Sequence, residues 1–276
     1  MKSFNARFYG NPRVYLGLAW LALVAVVAIF AGVFAPRDPF AIVGQPFLPP
    51  GSEGFLLGTD SLGRNVLAGL IHGARTTLMI AVLSTVAAVA FGTVLGALAG
   101  YYGGIVDDIL MRLTEFFQTI PWFLFAIVLV AILSPSAMNL VIAIAVVSWP
   151  PIARVVRAEV MAVKAREFVQ AAVVAGQRDM GILFGQILPN TLSPLIVTGS
   201  LMVATAILIE SALSFLGLGA PGQMSWGFQI GAGRSFLRDA WWLVTVPGIV
   251  ILLTVLAINL IGEGLNDALN PRLADL

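Results

Sequence analysis

Residues 76–100 read TTLMIAVLSTVAAVAFGTVLGALAG, twenty-five residues in a row without a charge. The hydrocarbon core of a bilayer is about 30 Å thick and is crossed by about 20 helical residues. Within it each backbone N–H and C=O must be satisfied inside its own segment, so such a run reads as a transmembrane helix. Five further apolar runs read the same way. The six spans are Val14–Ala35, Thr76–Gly100, Phe116–Leu133, Met138–Ala153, Thr191–Leu216 and Trp242–Gly262. The third and fourth are the shortest and contain or end in proline (Pro121, Pro150, Pro151), so a kink or an extension beyond the apolar run is expected there. The fold class is all-α, a polytopic membrane protein.

Composition agrees. Hydrophobic residues make up 59% of the 276-residue chain and charged residues 11%, against roughly 45–50% and about 25% in soluble domains. Too few charges exist to cover a water-facing globule of this length. Lys+Arg 15 against Asp+Glu 14 gives a net charge of +1, which offers no basic face to nucleic-acid phosphates. The absence of cysteine excludes disulfides and thiolate chemistry, and the single histidine, His72, excludes a histidine-rich metal site. Neither GxxxxGK(S/T) nor HExxH occurs. No P-loop ATP hydrolysis, zinc proteolysis, metal site or bound cofactor is therefore expected of this polypeptide.

Lys2, Arg7 and Arg13 precede the first run, but its 22 residues exceed the roughly 7–15 of a cleavable signal peptide. An uncleaved span is expected. Lys and Arg favour the cytoplasmic side. With the N-terminus inside, the inner segments hold ten basic residues and the outer ones five, so both termini are expected in the cytoplasm. The chain divides into residues 1–75, holding the first span and an external loop, and a five-span core over 76–276. The external loop 36–75 has a Pro- and Gly-rich start, the external loop 217–241 is glycine-rich and aromatic, and the core's long cytoplasmic loop covers about 154–190.

That cytoplasmic loop reads RVVRAEVMAVKAREFVQAAVVAGQRDMGILFGQILPN and holds a third of the chain's basic residues. Apolar residues recur at helical spacing, and an Ala-rich stretch, Gln170 to Ala175, meets Gly176, a residue type common just past a helix C-terminus. The pattern predicts two short helices and a turn at the inner membrane surface. An interfacial amphipathic helix resting on headgroups fits the periodicity as well.

Four motifs tip the balance. QAAxxxG followed by ILPN resembles the EAA loop of ABC importer permeases, with Gln170, Ala171, Ala172 and Gly176 in its positions and Leu188–Pro189 closing it. Gln170 stands where glutamate is usual and Gln186 where isoleucine is usual; Glu167, about one turn earlier, offers a nearby acid. LGTDSLGRNVLAGLIHGARTTL is similar to a signature of the dipeptide, oligopeptide and nickel permeases. Gly58, Thr59, Asp60, Gly63, Arg64, Gly73, Ala74 and Arg75 match it, and Asn65 replaces the usual aspartate. The stretch Ser214 to Arg234 and the C-terminal GLNDALNPRL resemble the same subfamily, and the likeness fits its C-type permease subunit.

The resemblance implies a type I ABC importer permease fold of six transmembrane helices, in a bacterial inner membrane. It implies pairing with a homologous permease, two cytoplasmic ATPase subunits that bind the ATP and Mg, and an extracytoplasmic solute-binding protein. The solutes implied are peptides, or a related compound such as nickel or an opine- or sugar-like molecule. Glu167, Gln170, Ala171, Ala172, Gly176 and Arg178 would form the coupling helix seated on an ATPase, with Ala172 and Gly176 in tightest contact.

Other residues weigh differently. Glu210 lies within a span, where an acid is a functional candidate; snorkelling to an interface, or bonding a backbone group, is the favoured reading. His72 lacks the partners of a catalytic base and reads as a loop histidine. Asp60 and Arg64 would ion-pair if their stretch were helical. Trp122, Trp149, Trp241 and Trp242 sit near span ends, where indoles anchor at headgroups. Asp107, Asp108, Arg112 and Glu115 read as a solvated cytoplasmic turn. A self-sufficient secondary transporter or channel is the alternative function. It would be expected to show repeats and intramembrane charges, and here Glu210 alone qualifies.

Overall fold

The computed structural model describes Phe8, residues 11–52 and residues 54–269, and all regular secondary structure among them is helical. Lys2, Arg7 and the last residues of the C-terminal motif lie outside the described residues. Five helices are long and apolar enough to cross a membrane: α1 (Pro12–Ile29), α2 (Val66–Tyr102), α5 (Ala137–Lys164), α7 (Asp179–Phe215) and α9 (Trp242–Leu269). Between α2 and α5, α3 (Gly104–Thr119) and α4 (Trp122–Leu133) meet at 86°. Short helices α6 (Glu167–Val174) and α8 (Trp226–Gly233) complete the set.

The expected third span, Phe116–Leu133, is thus bent at this break and not one continuous helix. Pro121 lacks an N–H, and its ring pushes the preceding residue out of helical geometry; Ile120 accordingly adopts φ −84°, ψ 129°. α4 has only 12 residues, short of a bilayer crossing. α3 carries Asp107, Asp108, Arg112 and Glu115 beside exposed Ile105, Ile109 and Phe116. Its residues 104–115 precede the apolar run that starts at Phe116 and form an amphipathic helix, not a solvated turn.

α2 and α5 form the most extensive helix pair. Lipid tails are as apolar as leucine, so membrane helices associate by close packing, which small residues permit. Gly92, Gly96 and Gly100 form one such stripe. A Cβ on Gly96 would lie 2.3 Å from the Ala153 carbonyl oxygen, and Cβ atoms on its neighbours 2.8 Å and 2.7 Å from those of Trp149 and Arg157.

The same packing moves the expected boundaries. α5 runs straight through Pro150 and Pro151 to Lys164, because Val156, Val160 and Val163 keep burying against α2 and the following segment. α7 begins at Asp179, where a π-helical turn over Leu183–Ile187 precedes Pro189. The long cytoplasmic loop of 154–190 therefore contracts to residues 165–178. α2 begins ten residues before Thr76, so the GAR segment is helical. α1 ends at Ile29, short of the expected Ala35, with a separate helical turn over Ala31–Phe34. α9 extends to Leu269, beyond the expected Gly262.

Phe8 and Val14 pack on Ala268. At the opposite end of the bundle, His72 Nε2 bonds the Ala35 carbonyl at 2.9 Å, so His72 joins α1 to α2 and is not a loop residue. Two tryptophans are not interfacial anchors. Trp149 is buried between Phe91 and Phe117, with ring centroids 5.3 Å away in both cases. Trp242 is buried with Nε1 donating to the Thr59 carbonyl at 3.3 Å. Trp122 and Trp241 are exposed at the protein surface, as an anchor requires.

Candidate functional site

α6 is eight residues long and has two faces. Val169 and Ala172 are buried among Val160, Val163, Ile182 and Leu183. Glu167, Gln170, Ala171, Val173 and Val174 point away from the bundle, and Val174 is 89% exposed. Glu167 opens the helix, where an acid complements the backbone dipole. Gly176 closes it at φ +74°, and the Gln177 N–H returns to the Ala172 carbonyl at 3.1 Å. Glycine takes this left-handed conformation without the Cβ penalty. Arg178 is exposed at the start of α7.

Ala172, 7% exposed, packs within its own chain. Gly176 has no neighbour within 4 Å of a notional Cβ and is set by its turn geometry. The outward apolar surface consists instead of Val173 and Val174, with Phe168, Met180 and Phe184 also exposed around them.

Polar contacts clamp this segment to the ends of the long helices. Tyr101, next to last in α2, donates its hydroxyl to Asp179 Oδ1 at 2.8 Å. Lys164, last in α5, donates to the Tyr101 carbonyl and lies over the Tyr101 ring, 5.0 Å from its centroid. Gln170 Nε2 donates to the Lys164 carbonyl at 3.0 Å, and Gln186 Nε2 to Gln177 Oε1 at 2.6 Å. Both glutamines that depart from the motif thus bond within the segment itself. Arg157 on α5 and Asp107 on α3 form the one salt bridge among the described residues. The Arg157 guanidinium holds the Asp107 carboxyl below the usual carboxylate range, against an opposing push from burial. Tyr101, Lys164 and Asp179 escape sequence reading because they are far apart in the chain and match no spacing rule.

Residues 58–64 of the LGTDSLGR motif form a folded loop and not a helix, while its GAR segment lies in α2. Thr59 is fully buried; its Oγ1 donates to the Gln45 carbonyl at 2.6 Å and accepts from the Leu48 N–H at 2.9 Å. Gly58 and Gly63 have φ +74° and +76°, and a Cβ on either would collide with the Leu48 or Gly44 carbonyl. Asp60 does not pair with the Arg64 side chain. Its Oδ1 accepts the backbone N–H groups of Leu62 and Arg64, each at 2.8 Å, while the Arg64 guanidinium lies 5.1 Å from the Phe40 ring centroid. Asn65 caps α2, accepting from Leu67 N and Ala68 N at 2.9 Å and 3.3 Å.

Glu210 does not snorkel. It is fully buried, with Ser214 Oγ donating to Oε1 at 2.6 Å and Ser211 Oγ to Oε2 at 3.5 Å. Thr77 of α2 and Ser225, the N-cap of α8, lie beside this carboxyl group, and each accepts a backbone N–H, from Trp226 at 3.3 Å and Phe228 at 3.2 Å. Glu210 so sits among hydroxyl groups from α2, α7 and the start of α8.

Residues 92–275 match the family model of the binding-protein-dependent transport system inner membrane component. The chain belongs to that family. Its match takes in α5, α6, α7 and the clamp partners Tyr101, Lys164 and Asp179. The permease is 42% identical to the di/tripeptide transport system permease protein of Pseudomonas aeruginosa, over 99% of its own length and 92% of that protein. It is 43% identical to the dipeptide transport system permease protein of Escherichia coli K12, over 99% and 93%. An inward-facing methionine ABC transporter shares the fold, with TM-score 0.61 at 18% identity, covering 73% of the permease and 97% of that chain. The permease is thus a multi-pass inner-membrane component with the type I importer fold, and its relatives are transport components, not enzymes. Family membership sets aside the self-sufficient secondary transporter.

Proposed function

We propose that the permease is one translocating half of an ABC importer for short peptides, and that residues 167–178 seat one of its ATPase subunits. The peptide assignment draws on the names of relatives at about 40% identity along nearly the whole chain. A homologous permease completes the pathway, two ATPases bind ATP and Mg below it, and a solute-binding protein delivers peptide from outside. Both termini and α6 then face the cytoplasm, as the basic-residue bias requires. Nickel and opine- or sugar-like solutes are the neighbouring substrate classes.

The observation that carries the docking assignment is the two-faced α6. One face is locked to the ends of α2, α5 and α7, and the other presents Val174 almost fully exposed. A rigid backing behind an apolar projection passes a partner's movement to the long helices. ATPase closure would thereby tilt α2, α5 and α7 together and alternate the pathway's access.

The test is to co-express the four types of subunit and purify them through the permease carrying Val174→Asp. Burying an unpaired charge in the docking groove should weaken ATPase retention at least tenfold, with membrane insertion and permease pairing unchanged. Normal retention and transport would leave α6 as an interfacial helix only.

A further inference from the structure

Arg75, the last residue of the GAR segment, has no part in the docking assignment, and its place in the fold calls for a partner. A groove of about 390 Å3 runs between α1 and α2 beside it, walled by Ala28 and Ile29 of α1 and by Leu78, Met79 and Val82 of α2. Arg75 is the one charged residue in a lining that is otherwise apolar. Its guanidinium is exposed and makes no hydrogen bond, ion pair or ring contact with any described residue.

Depth separates this arginine from a solvated surface one. His72, which bonds the Ala35 carbonyl, lies three residues earlier on α2. Arg75 is therefore about 4.5 Å further along the helix, at the edge of the charge-free run 76–100. On α1, Ile29, Val33 and Phe34 are 70%, 75% and 56% exposed and carry an apolar surface from the groove up to Ala35. Arg75 thus lies below the rim of that surface, where an unpaired charge in lipid is costly. Helical side chains lean towards the N-terminus of their helix. The guanidinium is aimed back towards the headgroup level, with its stem along the apolar wall.

We propose that this groove binds one anionic phospholipid, its phosphate paired with Arg75 and an acyl chain lying between α1 and α2. A guanidinium meets two phosphate oxygens at once through its planar fork of N–H donors. The apolar walls suit a hydrocarbon chain and offer nothing to a small soluble anion. No acid lines the groove to receive the ammonium of a zwitterionic headgroup, so a lipid of net negative charge matches it better. The bound lipid adds a contact between α1 and α2, beside the direct packing of α1 on α2 and α9.

The test replaces Met79, a half-exposed residue of the groove wall, with the photoreactive p-benzoylphenylalanine. The complete complex is placed in nanodiscs holding phosphatidylglycerol and phosphatidylcholine in equal amounts, illuminated, and its adducts identified by mass spectrometry. Lipid adducts should favour phosphatidylglycerol by about fivefold, the preference that one basic residue confers near a membrane surface. Adding Arg75→Gln should bring the ratio to about one. The same probe at Leu252, exposed in the charge-free middle of α9, should show no preference, and this comparison decides where Arg75→Gln does not assemble. Equal adducts at Met79, a preference that survives Arg75→Gln, or the same preference at Leu252 would overturn the proposal. So would an adduct with the homologous permease, which would make the groove a contact between subunits.

Discussion

Tyr101 and Asp179 are 78 positions apart in sequence and 2.8 Å apart in space, the phenol donating to the carboxylate. This bond ties the C-terminal end of α2 to the first residue of α7. Lys164 lies against the same Tyr101 and brings in the end of α5. Three long core helices, α2, α5 and α7, therefore converge directly behind α6.

Removing the phenol should loosen that convergence without unfolding the bundle. Tyr101→Phe loses one hydrogen bond, a net cost of about 0.5–1.5 kcal/mol. The outcome expected is a lower ratio of solute transported to ATP hydrolysed, measured in proteoliposomes, with ATPase retention unaffected. Asp179→Asn keeps an acceptor oxygen and should change the ratio less.

The α2–α5 contact is the place where one methyl group should matter most. At Gly96 a Cβ would sit 2.3 Å from the Ala153 carbonyl, whereas Gly248 has nothing within 4 Å. Gly96→Ala should cost about 1–3 kcal/mol by overpacking and lower the thermal midpoint in detergent. Gly248→Ala, on α9, should leave that midpoint within a degree or two of the parent.

Turn geometry, not crowding, governs Gly176. With φ at +74°, a leucine there pays about 1–2 kcal/mol of backbone strain, while asparagine tolerates the left-handed region. Gly176→Leu should distort the exit from α6 and weaken ATPase binding about tenfold, and Gly176→Asn should bind near the parental level. Equal binding by both variants would show that the turn does not position the docking face. Gln170→Glu forfeits the donor to the Lys164 carbonyl, but at this exposed site the stability change should stay within about 0.5 kcal/mol.

The Asp107–Arg157 pair sets a pH dependence of known sign. The folded carboxyl titrates below its unfolded value, so the pair's contribution is complete above the unfolded pKa and is lost as pH falls through the folded one. Thermal midpoints measured from pH 7 down to pH 3 should fall for the parent and fall less for Asp107→Asn. A parallel decline in both proteins would mean that this pair does not carry the acid sensitivity.

Sequence by itself determined the class of this protein. Charge-free runs longer than a bilayer crossing admit only helices, because lipid leaves backbone groups no other partner. The conjunction of QAAxxxG–ILPN with LGTDSLGR marked the family, and Asn65, Gly58 and Gly63 already had the residue types that their cap and turns need. The GxxxGxxxG spacing of Gly92, Gly96 and Gly100 was also in the sequence, yet spacing gives a face and not its partner. Tertiary structure decided what faces what. Packing on α2 carried α5 through two prolines to Lys164 and shrank the loop expected over 154–190 to residues 165–178. It chose which face of α6 turns inward, Ala172 buried and Val174 outward, where periodicity by itself only puts the two on opposite sides. It also enclosed Glu210 among hydroxyls from three helices. Each of these outcomes depends on groups brought together from distant parts of the chain, and local periodicity carries no information about such pairings.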